Sequence, residues 1–238
     1  MSDEYNEIPD IHICYDGQHN PTLRSPNTPF ELPFRHTRDT FMDVDEYKYF
    51  IENCISRFRH SKTYKNYKKY LYDIGLDHCQ ILGNISKEEA TVEMHHNFLN
   101  IFDITLMITE HFINTKGSVS TFQIVQALKD EHKQNNIPIV MLSKTPHQLY
   151  HNSNGDLVLP ARMCFGYWYN LLKKYNRGIT IDIATKVIKF LKISMEFENN
   201  YVPEDNKSNY LLAVRDDVKG WSQYNDYADH MRIAGVVY

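Results

Sequence analysis

Between Asp43 and Phe58 the chain places apolar side chains at Tyr47, Phe50, Ile51, Cys54, Ile55 and Phe58, spaced i, i+3, i+4, i+7, i+8 and i+11. A helix of 3.6 residues per turn gathers these positions into one stripe. Such a stripe has to be covered, so the chain must fold as helices packed against other elements. Asp43 is placed to accept from the free backbone N–H groups of the first turn. A second helical stretch, basic and aromatic, is predicted from about Lys62 to Ile74. The apolar-rich segment Asn97 to Asn114 and a segment capped by Thr121 and ending near Lys133 read the same way. Tyr167 to Lys174 and Ile183 to Met195 are the clearest helices of the C-terminal part.

Strands are fewer. Gln80 to Ile85 and Ala90 to His95 flank a polar turn and read as a pair, and Ile137 to Leu142 is a short apolar strand. Ser143 or Thr145 then opens a short helix with Pro146 in its first turn. Residues 152–156 read as a turn, and 199–207 as a loop. The fold class expected is α+β, mainly helical, with a small strand–strand–helix module. Four regions are expected: an extended or disordered arm at 1–40, a basic helical region at 41–78, the module at 79–156 with two inserted helices, and a helical region at 157–238.

Composition narrows the function classes. The 238 residues are 42% apolar and 24% charged, enough for one decorated domain or two small ones. No run of 18 apolar residues occurs, so no membrane helix is expected. The acidic start Met-Ser-Asp-Glu-Tyr-Asn-Glu has no apolar segment, which predicts no secretion signal and a cytoplasmic location, the host's if the chain is viral. Cys14, Cys54, Cys79 and Cys164 form no C-x-x-C pair and read as reduced thiols. Abundant Asn, Ile, Lys and Tyr suit an AT-rich genome, viral or bacterial. The arm carries Pro9, Pro21, Pro26, Pro29 and Pro33 among seven acids and three Arg, and is a candidate contact for a protein partner.

Net charge is −4, yet residues 56–72 hold Arg57, Arg59, Lys62, Lys65, Lys68 and Lys69 and no acid. Four tyrosines are interleaved. Cations neutralise phosphates and tyrosines stack on bases, so this stretch is the expected DNA track. Arg162, Lys173, Lys174 and Arg177 read as surface charges. No Walker loop, G-x-G-x-x-G or G-x-S-x-G motif is present.

The remaining signal is histidine. Val92-Glu93-Met94-His95-His96 ends a strand with two histidines, and His147 and His151 lie four apart on the short helix. Adjacent strand residues face opposite ways, and i, i+4 helix residues share a face. Three imidazoles and one base near one divalent ion is the chemistry such a pattern suits. The order Glu-x-His-His, strand, His-x-x-x-His resembles the HNH endonucleases of the ββα-metal class, closest to the variant of the nuclease colicins. That resemblance implies metal-dependent cleavage of DNA, with His95 and His147 as metal ligands and His151 as a third ligand or phosphate contact. It implies His96 as general base, Asn136 (or Asn135) bracing the loop, and Glu93 behind the ligands. The metal would be Zn²⁺, Ni²⁺, Mg²⁺ or Mn²⁺, and imidazole ligands favour a transition metal over Mg²⁺. Two other readings stand beside it. One is a non-catalytic phage structural or interaction protein with incidental histidines. The other is a nucleic-acid-binding module around a structural metal.

Overall fold

The elements follow from local chemistry. A computed structural model describes residues 35–82, 85–152 and 158–200, with the side chains of His151, Arg162 and Glu198 outside that description. Along the chain lie β1 (His36–Thr37), α1 (Val44–Arg59), α2 (Lys62–Asp73), β2 (Val92–His96), α3 (Ile101–Lys116), β3 (Ser118–Val119), α4 (Thr121–Lys133), β4 (Ile139–Ser143), α5 (Lys144–Asn152), α6 (Trp168–Lys174) and α7 (Ile181–Asn200). Single 3-10 turns occur at Asp39–Phe41, Ala161–Met163 and Asn176–Gly178. The expected arm up to residue 34, the turn at 153–156, the tail from residue 201, and the histidines His12, His19 and His230 lie outside the described residues.

Caps set the helix starts. The Asp43 carboxylate accepts from the N–H of Asp45 at 2.8 Å and Glu46 at 3.1 Å. Asn100 and Asp103 form a reciprocal capping box at α3, as do Ser120 and Gln123 at α4. Each cap is worth about 1 kcal/mol. α3 begins four residues later than the sequence suggested, because Asn97 is engaged elsewhere. Its backbone N–H bonds Pro138 O at 2.9 Å, and its side-chain amide donates to Leu159 O at 2.8 Å and to Cys164 Sγ. α4 starts at Thr121 itself, with Ser120 as its cap.

The apolar stripe of α1 buries Ile51, Cys54 and Phe58 completely. They share one buried cluster with Ile104, Met107 and Ile108 of α3 and Ile124 and Leu128 of α4, all equally sealed. α1 packs on both α3 and α4, α2 lies on α4, and the Asn176–Gly178 turn presses on α3. One buried cluster extends from Phe41 to Leu191, across the expected boundaries after residues 78 and 156.

The sheets are small. β1 pairs antiparallel with β3, and β2 with β4 in the register His95↔Val140 and His96↔Ile139. α5 packs on both β2 and β4. All five β4 residues are buried, which accounts for a continuous apolar run in place of an alternating one. The expected strand Gln80–Ile85 does not form among its described residues. A single residue takes its place along the edge of β4 on which Ile139 also pairs with Phe165. The Gln80 backbone N–H donates to Met141 O at 2.8 Å, while its side-chain oxygen accepts from Met141 N at 2.6 Å. The same amide donates to Met163 O at 2.6 Å. Gln80→Leu keeps the bulk and orphans two buried backbone groups. It is expected to lower the unfolding free energy by about 2 kcal/mol, read as a shift in the urea midpoint at unchanged slope. A shift of a few tenths would mean that water already satisfies Met141.

The molecule is therefore mainly helical with two small antiparallel sheets, an α+β arrangement.

Candidate functional site

Strand alternation separates the two adjacent histidines. His95 lies on the side of β2 that meets α5. Its ring centroid is 4.9 Å from that of His147 and 4.2 Å from that of Tyr150. Glu93 joins this group, its Oε2 2.5 Å from His147 Nδ1. The Tyr150 hydroxyl donates to Asn97 Oδ1 at 3.1 Å, and burial pushes its titration upward. His95, His147 and Glu93 are thus brought together, while the His151 side chain is outside the described set.

His96 points the other way, into the core against α4. Only 6% of it is exposed. Its Nε2 lies 3.2 Å from His132 Nε2, and the His132 ring rests on Phe58 (4.4 Å) and Tyr67 (5.2 Å). His132 Nδ1 is 2.7 Å from Leu128 O, which only accepts, so Nδ1 carries the proton. The neutral His132 ring then accepts at Nε2, and His96 donates. Burial holds both rings neutral. His132 is lowered to about 4. His96 is held well below the ordinary value, first by burial and then by His132, His95 and Arg59. The partner of His96 is thus His132, at the C-terminal end of α4. A two-residue i, i+4 search cannot find a pair 36 positions apart.

Asn136 braces a helix end. Asn135 takes the left-handed conformation (φ 56°), and the N–H groups of Asn135 and Asn136 bond His132 O at 3.0 Å and Glu131 O at 2.9 Å. The Asn136 amide donates to the buried Glu131 carboxylate at 2.7 Å. That carboxylate also accepts from Tyr175 OH at 2.7 Å and pairs with Lys174. Asn136 lines an open polar groove with Gln134, Tyr167, Asn170, Lys173 and Lys174.

Among the described residues no three His, Cys, Asp or Glu side chains are gathered closely enough to hold a metal ion. The cationic residues stay at the surface. Arg57, Arg59, Lys62, Lys65 and Lys69 are exposed and Lys68 is half-buried.

Residues 12–223 match the family model described as bacteriophage G278-like virion protein. The chain belongs to that family. No curated protein and no solved structure matches it. Membership in a virion-protein family overturns the HNH endonuclease resemblance, and with it the nuclease, endonuclease and HNH descriptions. The phage origin agrees with it. The physical reason is what the two faces of β2 meet. A strand end that reads as His-His sends one ring to α5 and the other into the core, so the two never share a centre. The spacing also admitted a five-residue strand paired across two intervening helices, which is ordinary packing between β2 and β4. No helix among the described residues is long and apolar enough to cross a membrane.

Proposed function

We propose that this chain is a non-catalytic structural component of the phage particle, its histidines serving packing and hydrogen bonding rather than chemistry. The match of 212 residues, 12–223, to a virion-protein family carries this reading. The burial of His96 against His132 supports it, since a general base needs access to water and substrate. Residues 35–40 are held to the fold by β1 and by Arg38 on Glu110, so the proline-rich segment up to residue 34 is the part we assign to contact with a neighbouring virion protein, as its composition suits a segment that orders on a partner.

The test is to purify particles of the encoding phage by density gradient and quantify this chain by mass spectrometry. It is expected to co-sediment with the particles in constant ratio to the major structural proteins. Recovery only from the soluble lysate would overturn the reading. In parallel, purified chain is expected to leave supercoiled plasmid intact with Mg²⁺, Mn²⁺, Ni²⁺ or Zn²⁺, and metal-dependent nicking would reject a non-catalytic role.

A further inference from the structure

Four cations elsewhere on this surface are matched by acids at close range. Arg38 pairs with Glu110 at 2.7 Å, Lys87 with Asp77 at 3.0 Å, Lys186 with Asp103 at 2.7 Å, and Lys174 with Glu131. What sets α2 and the end of α1 apart is the density of cations without such a partner. None of Arg57, Arg59, Lys62, Lys65, Lys68 and Lys69 has an ion pair with an acid among the described residues. These six are drawn from a total of 26 Lys and Arg set against 30 Asp and Glu, so the local excess is held on an otherwise acidic chain.

Helical geometry concentrates them. At about 100° per residue, Lys62, Lys65, Lys68 and Lys69 fall within an arc of roughly 120°. Tyr67 and Leu71 occupy the opposite side and are buried. This arrangement works against the stability of α2. Lys62 and Lys65 stand near the helix N-terminus and Asp73 at its C-terminal end, the inverse of what the macrodipole favours. Lys62 and Lys65, Lys65 and Lys68, and Lys65 and Lys69 are like charges at i, i+3 or i, i+4. Only Arg57 and Arg59, in the last turn of α1, have a helix-dipole explanation. A face that is costly in the free protein and unpaired within it fits a polyanionic partner.

The tyrosines decide which polyanion. Tyr67 is only 5% exposed and Tyr64 packs edge-on to Phe58 with centroids 5.1 Å apart. Tyr72 lies under the ammonium groups of Lys68 (5.9 Å) and Lys87 (5.6 Å). Tyr70 alone is substantially exposed, and its hydroxyl accepts from Asn135 at 3.2 Å. The stacking platform that the sequence suggested is therefore turned inward. Single-stranded nucleic acid is held largely by such platforms, whereas duplex is held through its phosphates. We propose that the exposed face of α2, with Arg57 and Arg59 of α1, is a sequence-independent docking surface for the phosphate backbone of duplex DNA. This goes beyond the virion assignment and is tested on the isolated chain, so the two can fail separately.

The experiment is fluorescence anisotropy of the full chain with a labelled 30-base-pair duplex from 50 to 200 mM KCl, comparing wild type with the Lys62→Gln, Lys65→Gln, Lys69→Gln triple variant. Wild type is expected to bind at 50 mM with a steep salt dependence. The triple variant is expected to bind at least tenfold more weakly, with its log–log salt slope reduced by about 2.7, close to 0.9 per phosphate contact removed. Its melting temperature should equal or exceed that of wild type, since the like-charge contacts are relieved. If the triple variant fails to fold, Lys65→Gln alone must reduce the slope by about 0.9. No binding by wild type at 50 mM, or an unchanged slope in a folded variant, overturns the proposal. So does displacement of DNA by polyglutamate at matched charge, which would reassign the face to an acidic protein segment.

Discussion

Gly178→Ala will prevent this chain from reaching a stable native state. A methyl group there would lie 1.8 Å from Met107 O, 2.7 Å from His111 N and 2.8 Å from Met107 C, all backbone atoms of α3. No side chain can rotate away to relieve the overlap, so the Asn176–Gly178 turn would have to lift off α3. Met107 is itself fully buried, and lifting the turn opens the core around it. The expected cost is about 4 kcal/mol or more, in the range reserved for overpacked or ruptured cores. That is a large share of the 5–15 kcal/mol typical of a whole domain. The measurement is soluble yield and urea midpoint against wild type, with Gly75→Ala as comparison. Gly75 has φ 99° but nothing within 4 Å of an added methyl, so only backbone strain of about 1 kcal/mol is expected there. A Gly178→Ala protein as stable as Gly75→Ala would show that the turn does not approach α3 so closely.

The second large effect is loss of stability in mild acid. His96 and His132 meet nitrogen to nitrogen, one donating and one accepting, inside a ring of Phe58, Tyr64 and Tyr67. Protonating either ring would set two N–H groups against each other in a buried site. Their native pKa values lie below the ordinary value of 6.5, with His132 at about 4. A depressed native value means that the unfolded chain binds protons first as pH falls. The pair's contribution is therefore complete above about pH 6.5 and is withdrawn between there and about 4. His132 alone accounts for about 3 kcal/mol of this loss. Urea midpoints should fall steadily from pH 7 to 4, and the slope should be shallower in His132→Gln. A midpoint independent of pH between 7 and 5 would place the two imidazoles in contact with water.

Much of the architecture was readable from residue order, for identifiable reasons. The stripe from Tyr47 to Phe58 and the Asp43 cap are local, because they depend on contacts within one turn of backbone, and α1 occupies Val44–Arg59 accordingly. The same holds for α2, for the end of α4 at Lys133, and for α6. The errors occur where a polar side chain answers to a distant partner. Asn97 resembled the start of a helix, but Leu159 and Cys164 hold it. Gln80 resembled the start of a strand, but its side chain replaces a strand by clamping Met141. Cross-chain demands of this kind leave no periodic trace.

The candidate site shows the same division. The sequence by itself determined that β2 ends in two histidines facing opposite ways and that His147 shares a helix with His151, because strand and helix periods are properties of the backbone. It also determined the cationic stretch around Lys65, since charge is carried by composition. Only the tertiary structure decided what each face meets. α4 brings His132 to His96, α5 brings His147 to Glu93 and His95, and the packing of α2 on α4 turns Tyr67 inward while leaving the lysines in solvent. The reason is that a period states which residues share a face, whereas the identity of the opposing surface depends on how elements dozens of residues apart bury their apolar stripes together.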